Sequence, residues 1–315
     1  MTEDHADLAE PGLGLRTLRM AVRCLPRGRS WAIRRGLPHV APGHPVRGDF
    51  HDPRISFAAD MNQPVARTLF FHGYWEQNVT SVLLHVLRKG QTVVDVGAQI
   101  GYWILLMSQA VGQEGRVLSF EADPTTFGEL TGNVRLNGCQ NTMLLALAVA
   151  DASERRRFYT KSITHSDVAS LITTEMTAPS IEICTIALDE FLDESGIGCV
   201  DLVKLDIEGG EMYALQGLAA GIQSRRYKRI LLELHPAQIA TAGLTSRELL
   251  NMFSDSGYRC FRIANYRPGV LGRYSLKFRK DLLVPDDDGD WAEEWPHYFL
   301  IAPDLEDEFV AHRGN

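Results

Sequence analysis

Four short runs dominate the sequence: Val93–Val96, Arg116–Phe120, Val200–Leu205 and Arg229–Leu234. Each is mostly apolar with no clean alternation, and each is followed by a helical pattern. A strand apolar on both faces must be covered on both faces, and strands separated by helices join as parallel crossovers. Such a chain is predicted to build a mainly parallel α/β sheet. The composition, 45% hydrophobic and 23% charged, rules out collagen, a coiled coil and a wholly disordered chain. The helical stretches have their own signals. Val79, Val82, Leu83, Val86 and Leu87 recur at i, i+3, i+4, i+7 and i+8 and stop at Gly90. Helices are also predicted over 104–111, 125–136, 208–218 and 245–253, the last opened by a Thr245/Glu248 capping box. Further strands are predicted over 142–148, 157–159, 181–186, 258–263 and 298–301.

Outside this alternation, residues 16–47 are rich in Arg, Pro and Gly. They predict a partly ordered N-terminal extension with one short helix over 15–24. The chain divides into this extension (1–67) and a domain over 68–315 with an insertion at 264–296. The acidic run Asp286-Asp287-Asp288-Gly289-Asp290 resembles a calcium loop only superficially. Its twelfth position is His297 where a bidentate glutamate is needed, so a solvated loop is expected. The 315 residues carry a net charge of −8, which argues against nucleic-acid binding by bulk charge. No stretch approaches a membrane span. Five scattered cysteines form no CxxC pair, and the acidic start lacks a secretion signal, so a cytoplasmic location is expected.

Three motifs carry chemistry. Val94-Asp95-Val96-Gly97-Ala98-Gln99-Ile100-Gly101 ends the first strand in a glycine turn that lets backbone approach a ligand. The middle glycine that admits a pyrophosphate is missing, which favours a nucleoside without phosphates over a dinucleotide. Glu121, in Phe120-Glu121-Ala122-Asp123-Pro124, ends the next strand, where a carboxylate can accept both ribose hydroxyls. Lys204-Leu205-Asp206-Ile207-Glu208-Gly209-Gly210-Glu211 sets several charges at one strand end. That is costly unless they are paired or functional.

Together with Thr185–Phe191, Asn133, Asn137 and Glu233-Leu234-His235-Pro236, these motifs resemble the FkbM-type methyltransferases, a class I S-adenosylmethionine-dependent family. The resemblance covers roughly Tyr74 to Pro236; Gln99 departs from the family's usual Asn. It implies a doubly wound, Rossmann-like, seven-stranded mainly parallel sheet with a reversed edge strand, and S-adenosylmethionine as cofactor. Asp95, Gly97, Gln99 and Gly101 would shape the methionine end of the pocket. Glu121 would hold the ribose, Ala122 and Asp151 would lie on the adenine side, and Glu76 would reach the cofactor's amino group. The expected reaction is methyl transfer to a hydroxyl of a sugar, glycan or secondary metabolite. Asp206 is the first choice of catalytic residue, then Glu208 and His235, and no metal is assigned. The expected partners are a small-molecule or glycan acceptor and, as an open assembly state, a second copy in a homodimer. An NAD-dependent oxidoreductase and an inactive binding module of the same fold stand as alternatives.

Overall fold

The computed structural model describes residues 8–25, 28–50, 52–160, 171, 179–264, 278–286 and 295–305. The chain opens with helices α1 (Leu13–Cys24) and α2 (Arg29–Val40), a hairpin of β1 (Val46–Phe50) and β2 (Asp52–Ala59), and α3 (Pro64–His72). Next come α4 (Gln77–Val86), β3 (Thr92–Val96), α5 (Tyr102–Val111), β4 (Arg116–Phe120), α6 (Pro124–Leu136) and β5 (Thr142–Leu145). A small sheet follows from β6 (Ala148–Val149), β7 (Arg155–Tyr159) and β8 (Ser180–Ile186). Then come α7 (Leu188–Glu194), β9 (Leu202–Leu205), α8 (Glu211–Gly217), α9 (Ala219–Gln223), β10 (Arg229–Glu233), α10 (Pro236–Thr241) and α11 (Ser246–Asp255). The described chain closes with β11 (Arg259–Ile263), β12 (Leu283–Pro285) and β13 (His297–Ile301).

The central sheet runs β12-β11-β13-β10-β9-β3-β4-β5. Its five strands from β10 to β5 are parallel to one another. Alternate residues feed two cores. Val93, Val117, Leu202 and Leu231 face a layer containing residues of α4 and α5. Val94, Leu118, Val203 and Leu232 face one containing residues of α8, α10 and α11. Burial on both faces explains why these strands show no alternation in sequence.

The sheet has eight strands rather than seven. The extra one is the three-residue β12, supplied by the 264–296 stretch and antiparallel to β11. The reversed strand, β13, lies inside the sheet between β10 and β11 and is antiparallel to both. Asp286 is not solvated as expected: its carboxylate is buried and meets Arg247 at 3.1 Å. Residues 287–290 lie outside the described set. The capping box forms as predicted, with the Glu248 carboxylate accepting from Thr245 N–H at 2.8 Å.

The N-terminal stretch differs most from expectation. The predicted helix is present as α1, but α2 and the β1–β2 hairpin follow it. Leu15, Val22, Val46, Phe50, Ile55 and Phe57 are buried in the same core as α4 and α5. Asn133 on α6 and Asn137 at its C-cap fasten the hairpin: their side-chain oxygens accept from Ala58 and Ser56 N–H at 2.8 and 2.9 Å. Arg19 donates to the Phe70 carbonyl at 2.7 Å and to the Asp49 carboxylate at 2.7 Å. The apolar residues here are sparse but correctly spaced, and some arginines work as interior hydrogen-bond donors, so composition alone understates the order. Among the described residues no helix is long and apolar enough to cross a membrane. All five cysteines are free thiols.

Candidate active site

Parallel strands end on the same side of a sheet, so the loops after β3, β4, β9 and β10 converge. After β3, Gly97 has φ 86° and Gly101 φ 101°. A Cβ on Gly97 would stand 1.9 Å from the Asp206 carbonyl oxygen, so the loops after β3 and β9 touch and only glycine fits. Gln99 is also left-handed, at φ 49°. That conformation suits asparagine better than glutamine, which gives the departure at this position a physical cost. After β4, the buried Glu121 carboxylate accepts from Gln99 N–H at 2.8 Å and Asp123 N–H at 2.9 Å. Glu121 thus ties the two turns together, and burial pushes its carboxyl up to about 7. Ala122 packs on the small sheet against Ala148, Phe158 and Ile183.

Asp95 and Lys204 are register partners on β3 and β9. Asp95 is fully buried, and neither carboxylate oxygen has a hydrogen-bond partner. Burial lifts its carboxyl to about 6 against the pull of Lys204. The Lys204 ammonium is 2.9 Å from Asp206 and 5.1 Å from the centre of the Trp103 ring. Although burial opposes it, Lys204 holds the Asp206 carboxyl down at about 2.

His235, 2% exposed, stands between two carboxylates. Its Nδ1 is 2.8 Å from Glu211 and its Nε2 is 3.0 Å from Glu208. Burial works against protonation, but the two carboxylates outweigh it and raise the imidazole to about 11. Glu208 (φ 56°) and Gly209 (φ 102°) make the tight turn that brings Glu208 there, and Gly209 N–H donates to Glu211 at 2.9 Å. With both ring nitrogens facing carboxylates, this geometry favours a positioning role for His235 over that of a base. Asp206, the first choice, is likewise committed to Lys204.

One partner was missed. His297, at the start of β13, places Nε2 3.2 Å from Glu76 and 3.5 Å from Glu233. Burial and the Asp206 charge push the Glu233 carboxyl up to about 8. A small cavity of ≈ 10 Å³, room for about one water, lies beside Lys204, Asp206, Glu233 and His297. Glu76, at φ 39°, is another strained non-glycine residue of the site. Glu233 was visible beside His235 in sequence; nothing linked His297 to it. Asp151, the adenine-side candidate, pairs with Arg156, its carboxylate 2.6 Å from the guanidinium.

These residues suit a nucleoside that carries positive charge. The glycine turn offers a close backbone approach, and Asp95 and Glu121 are buried acceptors with capacity left. Residues 95–260, more than half of the chain, match the methyltransferase FkbM domain. The chain belongs to the FkbM methyltransferase family. It is an S-adenosylmethionine-dependent methyltransferase. The hexuronic acid methyltransferase AglP of Haloferax volcanii is 27% identical over 182 residues, 58% of this chain and 69% of that protein. Among solved structures, an S-adenosylmethionine-dependent O-methyltransferase of Thermotoga maritima has a TM-score of 0.37 at 12% identity, over 73% of this chain and 66% of that one. The fibrillarin of Aeropyrum pernix, with natively bound S-adenosylmethionine, has a TM-score of 0.37 at 13% identity, over 71% and 76%.

Proposed function

We propose that this FkbM methyltransferase methylates a hydroxyl of a sugar or glycan, with uronic-acid sugars as the first acceptor class to test. The acceptor class comes from the similarity to the hexuronic acid methyltransferase. S-adenosylmethionine, when bound, supplies a methyl group already activated for displacement. The protein must then hold the acceptor in line, exclude water and take the hydroxyl proton. Asp95, Gly97, Gln99, Gly101 and Glu121 would hold the cofactor, with Glu76 and Ala122 at its two ends. Asp151, committed to Arg156, is left out of this set.

The observation that carries the reaction type is Glu233. It is buried at the end of a central strand, 3.5 Å from His297 and near the Asp206–Lys204 pair, and burial with the Asp206 charge raises its carboxyl to about 8, close to neutral pH. We assign proton acceptance to Glu233 Oε. Asp206, paired with Lys204, keeps that carboxyl high by its charge. Glu208 and Glu211 clamp His235, which positions the loops after β9 and β10. The acceptor in this reading is not a nucleic acid, in line with the −8 charge. Free thiols throughout suit a reducing cytoplasm.

The test offers radiolabelled S-adenosylmethionine with uronic-acid oligosaccharides and with neutral hexose oligosaccharides. Label transferred to the acidic sugars and stable to alkali supports an ether at a hydroxyl. An alkali-labile product would be an ester on a carboxylate, which needs no base, and would refute the role of Glu233. Calorimetry of Glu121→Ala checks the cofactor residues separately. Losing the ribose acceptor should weaken S-adenosylmethionine binding by about 10- to 100-fold.

A further inference from the structure

Between positions 11 and 47 the chain has eight arginines and no Asp or Glu, although the whole protein is acidic. This stretch forms the helical hairpin α1–α2. The two helices pack closely through glycines: a Cβ on Gly14 would meet Val40 at 2.8 Å, and one on Gly36 would meet Leu18 at 2.7 Å. α1 buries Leu15 and Val22 against the domain. No residue of α2 is fully buried. Its N-cap is a left-handed glycine without a side-chain cap, its first turn has no acid, and Pro38 lies inside it. Most helices are held by a packed face, and α2 is held only by the half-buried Ala32, Ile33, Leu37 and Val40.

The outward faces combine two chemistries. Leu13 is 82% exposed, Met20 68% and Trp31 63%, three of the five most exposed large apolar side chains among the described residues. Leu13, Arg16 and Met20 follow one face of α1, and Trp31, Arg34 and Arg35 follow one face of α2, all of them exposed.

We propose that the outer face of the α1–α2 hairpin docks on the surface of an anionic phospholipid bilayer. Trp31, Met20 and Leu13 would enter the interfacial layer while the arginines meet lipid phosphates. Basic charge interleaved with a tryptophan and aliphatic side chains on an amphipathic surface suits a plane that offers anions and hydrocarbon together. Nucleic acid or an acidic protein would satisfy the arginines but gives Leu13 and Met20 no apolar layer. The hairpin also adjoins the site's rim. Arg23 donates to the Phe70 and Phe71 carbonyls at the end of α3, within six residues of Glu76. Docking would therefore bring the loop bearing Glu76 toward the membrane.

Flotation of the full chain with vesicles tests this. Vesicles of phosphatidylcholine containing phosphatidylglycerol should carry the protein, pure phosphatidylcholine should not, and raised salt should release it. The double variant R34E/R35E should bind about tenfold more weakly or less, and W31A several-fold more weakly. Unchanged S-adenosylmethionine affinity in both would show that the fold is intact. No flotation, equal flotation on neutral vesicles, or full binding by R34E/R35E would overturn the proposal. So would binding to heparin or RNA without binding to anionic vesicles.

Discussion

Removing the imidazole from the His235 clamp tests the electrostatics of the site most directly. His235 and Glu211 are 2% and 0% exposed, so neither charge is relieved by water if its partner goes. Breaking a buried pair by deleting one partner typically costs about 3–5 kcal/mol, and His235→Gln should be destabilised by that much at pH 6.5. The double variant H235Q/E211Q removes both charges and keeps an acceptor for Gly209 N–H. It should recover more than half of the loss. The pH dependence gives an independent check. The folded imidazole is raised from 6.5 to about 11. Its stabilisation is therefore complete below 6.5 and drains away as pH rises toward 11, because the unfolded chain releases this proton first. The slope is about 1.4 kcal/mol per pH unit, or about 3 kcal/mol between pH 7 and 9. Glu233, Glu121 and Asp95, whose carboxyls are also raised, steepen the pH dependence of both proteins and drop out of the comparison. The assay is urea unfolding of wild type and double variant at pH 6.5, 7, 8 and 9. Wild type should lose ground to the double variant by about 3 kcal/mol from pH 7 to 9. Two curves that stay parallel would refute a protonated His235 in the folded protein.

Two further outcomes follow from the geometry. Glu233→Gln should lower kcat by about 10²- to 10⁴-fold with cofactor affinity intact. The wild-type kcat/KM should climb with pH until Glu233 is ionised near 8, and the variant should lose that limb. Asn133→Ala should leave the Ala58 N–H and the Ile100 carbonyl without their 2.8 and 2.7 Å partners. At about 1–3 kcal/mol for each orphaned group, the loss should be about 2–6 kcal/mol, read by calorimetry, with the β1–β2 hairpin more open to protease.

Much of the site was legible because its parts are local. A glycine turn after an apolar strand, an acid at the end of the next strand, and a charged strand end before Gly209-Gly210 are short-range patterns with physical reasons. The Thr245/Glu248 cap was readable on the same ground. Asn133 and Asn137 were legible only as part of a family resemblance; the structure shows that both hold the backbone of β2. The order of β1 and β2 was hidden because their few apolar side chains are buried by helices far along the chain.

The alternation of strands and helices from α4 to β10, the parallel sheet and the glycine turn after β3 were determined by sequence alone. Periodicity and turn chemistry act over a few residues and need no knowledge of the remainder. The protonation pattern was decided by tertiary structure. Glu76, Glu233 and His297 meet although more than 200 residues separate the first from the last. Charge and burial depend on distance in space. Only the folded sheet therefore fixed which carboxyl is held low beside Lys204, which is pushed high beside Asp206, and which histidine is locked between two glutamates.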